Sequence, residues 1–589
     1  MRKQIHAISL ILALLLFLCI AAAGIHRKAQ ATVAPPIYDP LSYYSKAESV
    51  STAIGHGEFN LLNVGNPGRP FGSTLLLYPF GFKPSIKGYI FRSTFVPIIL
   101  WGLALGACFW PLVKSKTGLL VALSICTGML TLPLFYQFEI NDEFIQAYGT
   151  NLGGWGLVDA LLGSVAGLAV ALLLNGMRTR NFLVVTASWI VSGFTLFIKP
   201  SGMLVMAITI GIALIELIGQ IMMRPSDWRN SLKFSGKSLG VAVALFALVV
   251  TSSIKSNYLA SETIAYFKNA TSIIVNMFRD IPKFSFFRAF IPCVIGWWWF
   301  FPMIIFAFYC AARIVFSGLR REVLPLALRV FGLLVFVTSG VWWLIYLAGP
   351  QHRYLYFLIQ MMIVWFIPDL FECLRRAKIR FNVAVFSYCL IPAVLLLTAL
   401  CSRHPSTGLQ KLLGVNLSVG QYAQESTIGR SLLDESSKLG RVLEIYSIGG
   451  SRVGVIEMID WVQSVDHGNA AHQFHVMRPL DWVSNPGIKV HEVLQSDFML
   501  LEDVAAVAPK LNPITVENWP VEVQEFKQFA YAACKDNANG VVLVSDGSVK
   551  LLRILEKQKF ADAVSAWAKS IQWRNDFPER NKSFLEGAK

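Results

Sequence analysis

The side chains able to do chemistry in this sequence are scarce, and they are gathered. Residues 1–401 hold only 14 Asp and Glu, and nine of them (Asp39, Glu48, Glu58, Glu139, Asp142, Glu143, Asp159, Glu262 and Asp280) fall between or at the ends of long apolar runs. A carboxylate kept at a bilayer interface costs free energy, so a group of them facing cations points to a polar site. Asp39 lies in Ile37-Tyr38-Asp39-Pro40-Leu41-Ser42-Tyr43-Tyr44. Asp followed by Pro suits the head of a helix, which is one reading; the other is a general base for an acceptor hydroxyl, or a metal ligand. Asp159 opens the apolar run after Trp155-Gly156-Leu157-Val158, where a carboxylate also suits the helix dipole. Glu139, Asp142 and Glu143 precede it in a polar loop and read as solvated singly, or as acceptor or metal candidates jointly.

Two spots supply opposing cations. Lys199 sits in Phe197-Ile198-Lys199-Pro200-Ser201-Gly202, and Arg353 in Gly349-Pro350-Gln351-His352-Arg353-Tyr354. Each is also an ordinary interfacial anchor. Together they are suited to the phosphate of a lipid whose head group lies outside, with His352 beside them.

The elements that must position these residues are mostly membrane helices. Of 589 residues, 54% are hydrophobic and 15% charged, with mean hydropathy +0.53, against about 25% charged in ordinary soluble domains. Apolar segments up to residue 24 and near 93–113, 117–136, 155–175, 181–198, 201–222, 236–254, 289–312, 325–348, 353–372 and 381–400 predict a polytopic α-helical membrane protein of about eleven transmembrane helices. The first, after Met1-Arg2-Lys3, reads as an uncleaved helix, with a signal peptide as the alternative. Lys114/Lys116, Arg178/Arg180, Arg224/Arg229/Lys233/Lys237, Arg313/Arg320/Arg321 and Arg375/Arg376/Lys378/Arg380 share one face if the N-terminus is cytoplasmic. An odd number of spans then places the C-terminus outside. Residues 1–401 carry 32 Lys and Arg against 14 acids, while 402–589 carry 20 against 22. The basic excess therefore reads as topology and membrane-lipid phosphate, not nucleic acid.

This topology leaves loops 26–92 and 255–288 and residues 402–589 outside. Residues 262–279 read as an amphipathic helix on the membrane, and loop 26–92 begins similarly, with Tyr44, Ala47, Val50 and Ile54 on one face. Residues 402–589 read as a soluble extracytoplasmic α/β domain. Its β-rich runs are Val442 to Ile448, Phe498 to Leu501, Val541 to Val544 and Leu551 to Leu555, beside helical patterns at Ser451–Val462 and Phe560–Trp567. His467, His472 and His475 do not match a zinc signature and read as solvated. The cysteines lie largely in apolar segments with no CxxC pair, which indicates neither a disulfide framework nor a thiolate metal site. Walker, GxGxxG, GxSxG and HExxH motifs are absent, and the sequons at Asn269, Asn416 and Asn581 are near chance in number.

The ordered pattern resembles the GT-C superfamily of integral-membrane glycosyltransferases, which includes protein O-mannosyltransferases and the aminoarabinose transferase of lipid A. Asp39-Pro-Leu-Ser-Tyr43-Tyr-Ser-Lys-Ala-Glu48, then Gly57-Glu-Phe, then Pro67-Gly-Arg69-Pro-Phe-Gly-Ser-Thr-Leu-Leu-Leu-Tyr78, resembles its first outer loop. Asp159-Ala-Leu-Leu is similar to its later acidic position, Phe197-Ile-Lys199-Pro-Ser-Gly202 to its Leu-x-Lys-x-x-Gly segment, and His352-Arg353-Tyr354 to its late Arg-Tyr segment. The first loop has Asp39-Pro40 where many members carry adjacent acids, and no arginine stands just ahead of Asp159. The resemblance implies a donor sugar on a polyprenyl or dolichyl phosphate, an acceptor hydroxyl oriented by Asp39, a departing phosphate held by Lys199 and Arg353, and inversion. It gives Asp159 a catalytic place beside Asp39, where Asp159 and Glu143 position the acceptor or hold a divalent cation with Asp39, and leaves Tyr43, Arg69, Glu139 and Asp142 as further acceptor or metal candidates. The acceptor is a lipid, a glycan or a protein. The compartment is a bacterial inner membrane or an endoplasmic reticulum, and the C-terminal domain would bind or gate the acceptor.

The rival from another class is a secondary transporter or lipid flippase. Transporters collect ionisable groups at mid-membrane on interrupted, repeated helices, whereas here they collect at a rim and no repeat is visible. Glu216, inside a span near its cytoplasmic end, reads as a snorkelling or packing residue. A scaffold serving the outer domain would leave the rim acids dispensable. An oligosaccharide ligase would move a preassembled glycan.

Overall fold

The computed structural model describes, in the main, residues 2–31, 39–58, 69–80, 82–113, 116–134, 156–255, 323–343, 352–376, 419–448, 474–477, 495–502, 528–533, 540–546 and 549–572. By their contacts these form two compact units. The first comprises Met1–Thr32, Ser42–Asn141 and Gly154–Gly414, and the second Val33–Leu41, Asp142–Gly153 and Val415–Lys589.

The first unit is helical: α1 (Arg2–Ala31), most of α2 (Asp39–Gly55), the short α3 (Gly72–Leu77), α4 (Ile86–Phe109), α5 (Lys116–Met129), α6 (Asp159–Thr179), α7 (Phe182–Phe194), α8 (Gly202–Met223), α9 (Trp228–Lys255), α10 (Leu324–Trp343) and α11 (Tyr356–Arg376). Among the described residues three helices are long and apolar enough to cross a bilayer, α4, α6 and α8, and shorter apolar helices lie at Ile11–Arg27, Gly118–Leu134, Phe182–Phe197 and Leu324–Ser339. The segments expected at 262–279 and 289–306, and most of 381–400, lie outside the described residues.

Helix α6 is the axis of this unit. Its apolar residues face inward on every side, from Ala160 to Met177, as in a helix wrapped by others. Small residues let neighbours close in. A Cβ on Gly167 would lie 2.5 Å from the Trp101 ring, and one on Gly163 3.3 Å from the Tyr356 backbone. Trp101 in turn donates from Nε1 to the Met129 carbonyl at 2.7 Å, and Ser188 Oγ bonds the Ala169 carbonyl at 2.7 Å, so these two buried polar groups on α4 and α7 are satisfied by neighbouring helices.

Helix α2 does not lie on lipid as its periodicity predicted. Tyr44, Ala47 and Val50 are buried. Val50, Ala53 and Leu61 form a small core with Ile54, Val64, Phe71 and Leu75, and Tyr44 meets Tyr89 edge-on at 5.4 Å. The apolar face is spent on protein contacts within the loop and the start of α4.

Around α12 (Val419–Leu439) and α13 (Lys557–Gln572), the second unit builds one five-stranded sheet from β1 (Leu443–Ile448), β2 (Phe474–Met477), β3 (Phe498–Glu502), β4 (Gly540–Asp546) and β5 (Val549–Ile554), in the order β2-β1-β3-β5-β4. Strand β1 runs parallel to β2 and β3, with Leu443 opposite Phe474 and Ile445 opposite Phe498; β5 runs antiparallel to β3 and β4, with Arg553 opposite both Phe498 and Val541. Tyr446, Met499, Leu501, Leu552 and Ile554 form the core with Phe560 and Val564, the latter pair spaced for one face of α13. Strands β1, β3, β4 and β5 fall on the runs read from sequence; Ser451–Val462 lies outside the described residues.

Candidate functional site

Asp159 stands in the first turn of α6. The chain reaches it through Gly156, whose φ of +100° is one that side-chain-bearing residues rarely adopt, and Tyr89 Oη donates to the Gly156 carbonyl at 2.9 Å. The entry of α6 is thus tied to the first turn of α4. Asp159 is 2% exposed. A bare carboxylate there would be costly, and Lys199 Nζ meets its Oδ1 at 2.5 Å. Its Oδ2 is buried with no hydrogen-bond partner among the described residues.

Lys199 is held by a tight turn between α7 and α8. Its N–H donates to the Thr195 carbonyl at 3.2 Å, its carbonyl accepts from Gly202 N–H at 2.9 Å, and Thr195 Oγ1 reaches the Gly202 carbonyl at 3.2 Å. Gly202 has no room for a side chain: a Cβ would lie 2.3 Å from the Thr195 carbonyl carbon and oxygen. The first loop closes on the same turn. A Cβ on Gly72 would lie 2.5 Å from the Phe197 carbonyl oxygen, and the Phe71 and Phe197 rings are 5.1 Å apart.

Arg353 is 5% exposed, in the 3-10 turn His352–Leu355 that precedes α11. Helices α6 and α11 run side by side from their beginnings, since Gly163 abuts Tyr356 while Gly167 abuts Gln360, and Gln360 Nε2 bonds Ser164 Oγ at 3.2 Å. Equal four-residue steps on both helices bring their N-terminal ends together, so Asp159 and Arg353 share one end of the unit. Tyr356 stacks on Tyr136 at 3.7 Å.

The first loop adds a polar aromatic cluster at the end where Tyr89 meets Gly156. Arg69 lies over the Tyr43 ring at 4.9 Å, and Arg92 over the Tyr78 ring at 4.4 Å while donating to the Leu77 carbonyl at 2.9 Å. Tyr44 donates to Glu48 at 2.7 Å. Burial raises the Glu48 carboxyl pKa, against the Tyr44 hydrogen bond and the Lys83 charge, which lower it. The hydroxyls of Tyr44 and Tyr78 are likewise pushed up by burial. Lys46, fully buried on the same helix, bonds the Val64 carbonyl, and burial lowers it to about 8.

Of the residues singled out from sequence, the fold joins Asp159 to Lys199, joins Tyr43 to Arg69, and sets Arg353 at the Asp159 end of α6. Asp39 is the first residue of α2; its side chain, that of His352, and Glu139, Asp142 and Glu143 lie outside the described residues. Among the described residues no group of three or more His, Cys, Asp or Glu is placed to hold a metal ion. One Asp159 oxygen is bonded to Lys199. Tyr89 and Arg92 were not selected from sequence; Glu48 was counted only among the rim acids, and Tyr44 and Tyr78 entered only through the segments that contain them. The four-residue spacing of Tyr44 and Glu48 was the available signal.

Two solved structures of ArnT are similar to this chain. They are crystal structures of ArnT from Cupriavidus metallidurans. One, bound to undecaprenyl phosphate, has TM-score 0.45 and 13% identity and covers 92% of this chain and 97% of its own; the other, in the apo state, has 0.44 and 13%, covering 91% and 97%. No family model matches the sequence, and no curated protein matches it.

Proposed function

We propose that this chain is a membrane glycosyltransferase that moves a sugar from a polyprenyl or dolichyl phosphate to an acceptor hydroxyl at the outer face, with inversion. The reading is carried by the buried Asp159–Lys199 pair at the mouth of α6, with a second buried cation, Arg353, at the same end. Transfer leaves a phosphate dianion where a phosphodiester stood, so charge develops at the leaving oxygen. Lysine and arginine fixed beforehand stabilise that charge without reorganising. Asp159 keeps Lys199 charged and aimed until the phosphate competes for it. Asp39, the first residue of α2 in the first outer loop, takes the acceptor proton in this scheme. The tyrosine cluster with Arg69 and Arg92 offers hydroxyl and cationic edges suited to a sugar. Residues 402–589 would form the acceptor-side domain outside a bacterial inner membrane.

The transporter reading draws on Glu216, yet that residue is engaged. Arg329 holds it through Nε at 2.6 Å and Nη2 at 2.8 Å, Trp365 Nε1 donates at 2.7 Å, and Arg329 also pairs with Asp369. This closed network ties α8, α10 and α11 as a packing element.

The test is release of polyprenyl phosphate from a panel of polyprenyl-phosphate sugars, in membranes holding the wild type, Asp39→Asn or Lys199→Gln, with source-cell extract as acceptor. The wild type should consume one donor and both variants should lose that release. If the wild type consumes none of the panel, the donor class is wrong. Equal release by Asp39→Asn reduces that residue to a helix cap.

A further inference from the structure

At the opposite end of α6 from Asp159 lies an open cavity of about 330 Å³, walled by the C-terminal ends of α6 and α8 and the N-terminal turns of α9 and α10. Four arginines line it, Arg178, Arg180, Arg224 and Arg329, together with Glu216. They are not equivalent. Arg329 is committed to Glu216 and Asp369, and Arg180 to Asp227. Arg178 and Arg224 form no ion pair among the described residues and are exposed. Met177, Ile215 and Pro325 give the same cavity apolar wall.

The backbone makes this shape, since α6 ends abruptly. Arg180 takes a left-handed conformation, φ +54°, and a Cβ on Gly176 would lie 2.6 Å from Val185, so the chain reverses at once into α7. Pro325 packs beside Gly219, 3.4 Å from where a Cβ would lie, which is ordinary van der Waals contact. Two guanidinium groups are thereby left at the rim of an amphipathic pocket, on the face that the positive-inside rule assigns to the cytoplasm. The carboxylates near it are already bonded to Arg180 and Arg329.

We infer that this cavity binds a phosphate ester, held by Arg178 and Arg224, with the apolar wall taking the glycerol and first methylenes of an anionic phospholipid from that leaflet. Guanidinium groups match phosphate oxygens bidentately, and basic pockets between membrane helices on the cytoplasmic side suit anionic head groups. A pocket of this volume is in the range of small-ligand sites, about 300–1,000 Å³. The site lies at the far end of α6 from the proposed transfer chemistry and stands independently of it.

The test uses the delipidated full chain in a neutral detergent, with thermal melting and native mass spectrometry after adding phosphatidylglycerol, phosphatidylcholine or millimolar inorganic phosphate. Phosphatidylglycerol should raise the melting temperature and give a one-lipid adduct that phosphatidylcholine does not. In Arg178→Gln/Arg224→Gln its apparent affinity should fall about tenfold or more, as two charge-assisted contacts imply. Arg178→Lys/Arg224→Lys should fall between, and binding should weaken with salt. Because both arginines are exposed, the unliganded variants should melt as the wild type does. A shift with inorganic phosphate alone, lost in the Gln variant, supports the same site with a soluble phosphate as its source. Equal responses to both lipids, or a phosphatidylglycerol response unchanged in the Gln variant, overturn the proposal.

Discussion

Asp159 and Lys199 are forty positions apart in the chain and 2.5 Å apart in the fold, one opening α6 and the other in the turn before α8. Their side chains are 2% and 12% exposed, so neither charge is compensated by bulk water. Removing Lys199 leaves the Asp159 carboxylate buried without its cation, which costs about 3–5 kcal/mol, whereas removing both charges costs far less. Asp159→Asn and Lys199→Met should therefore each lower the melting temperature, and the double variant should recover much of the loss. A double-mutant cycle should give a coupling above about 1 kcal/mol. Additive losses would mean that the pair is not a unit. Recovery of stability without recovery of polyprenyl phosphate release is the outcome expected if Lys199 also serves the reaction.

Gly202→Ala tests whether the turn around Lys199 must be tight. The new Cβ would sit 2.3 Å from the Thr195 carbonyl, which is backbone and cannot swing away. The turn must shift, at a cost of about 1–3 kcal/mol. Donor release should fall with it, because Lys199 moves. Gly193→Ala is the matched control: its Cβ meets nothing within 4 Å and the residue lies inside α7. Alanine is the better helix former there, so stability should hold or rise by up to about 1 kcal/mol. Equal effects of the two substitutions would show that the clash is relieved at no cost to the site.

In the second unit, Asp497 is the pH-sensitive joint. Although burial opposes it, Arg441 through two bonds of 2.7 Å, Lys557 at 2.6 Å and the Glu444 N–H at 3.0 Å hold its carboxyl well below the usual carboxylate range. A lowered folded pKa gives stability that is present above the ordinary carboxylate value and lost as pH falls through the folded one. Asp497→Asn should thus destabilise the chain at neutral pH, by about 2 kcal/mol once the half-exposed cations are discounted. The gap should close as pH falls into the acid range. A gap independent of pH would assign the loss to packing.

Much of this arrangement was legible because it rests on pattern. Apolar run lengths located α4, α6 and α8, and short β-rich runs located four of the five strands. Lys199 and Asp159 were each visible as an ion at the end of an apolar run, yet their pairing was not. Nothing in a linear sequence says that the turns before α6 and α8 meet, since that depends on Gly156, Gly72 and Gly202 allowing close backbone approach. Helix α2 shows the limit of periodicity. Its apolar face predicted a surface for lipid, and protein covers it instead, because a moment gives the direction of burial and not what does the burying. Lys46 escapes the pattern for a related reason: its long stem allows burial while the ammonium finds one carbonyl, at Val64.

Lys46 and Glu48 share helix α2, carry opposite formal charges, and do not pair with each other in any described hydrogen bond or ion pair. Lys46 bonds the Val64 carbonyl and Glu48 accepts from Tyr44. Burial works against the charged form of both, which sets two pH windows of opposite slope. For Lys46, lowered by burial from 10.5 to about 8, the unfolded chain holds the extra proton between those values. Stability therefore rises with pH across that interval. Below it the ammonium penalty is on the order of 3 kcal/mol at 1.36 kcal/mol per unit, offset by about 1 kcal/mol from its hydrogen bond. Lys46→Met should stabilise the chain at neutral pH and lose that advantage above pH 10. For Glu48, raised by burial, the folded chain holds the extra proton, so stability is full below the ordinary carboxylate value and falls as pH climbs through the folded one. Glu48→Gln should match the wild type in acid and exceed it at neutral pH. Thermal melting of the two variants across pH 4 to 10.5 separates them, and parallel curves for either variant and the wild type would show that its group does not titrate as the burial requires.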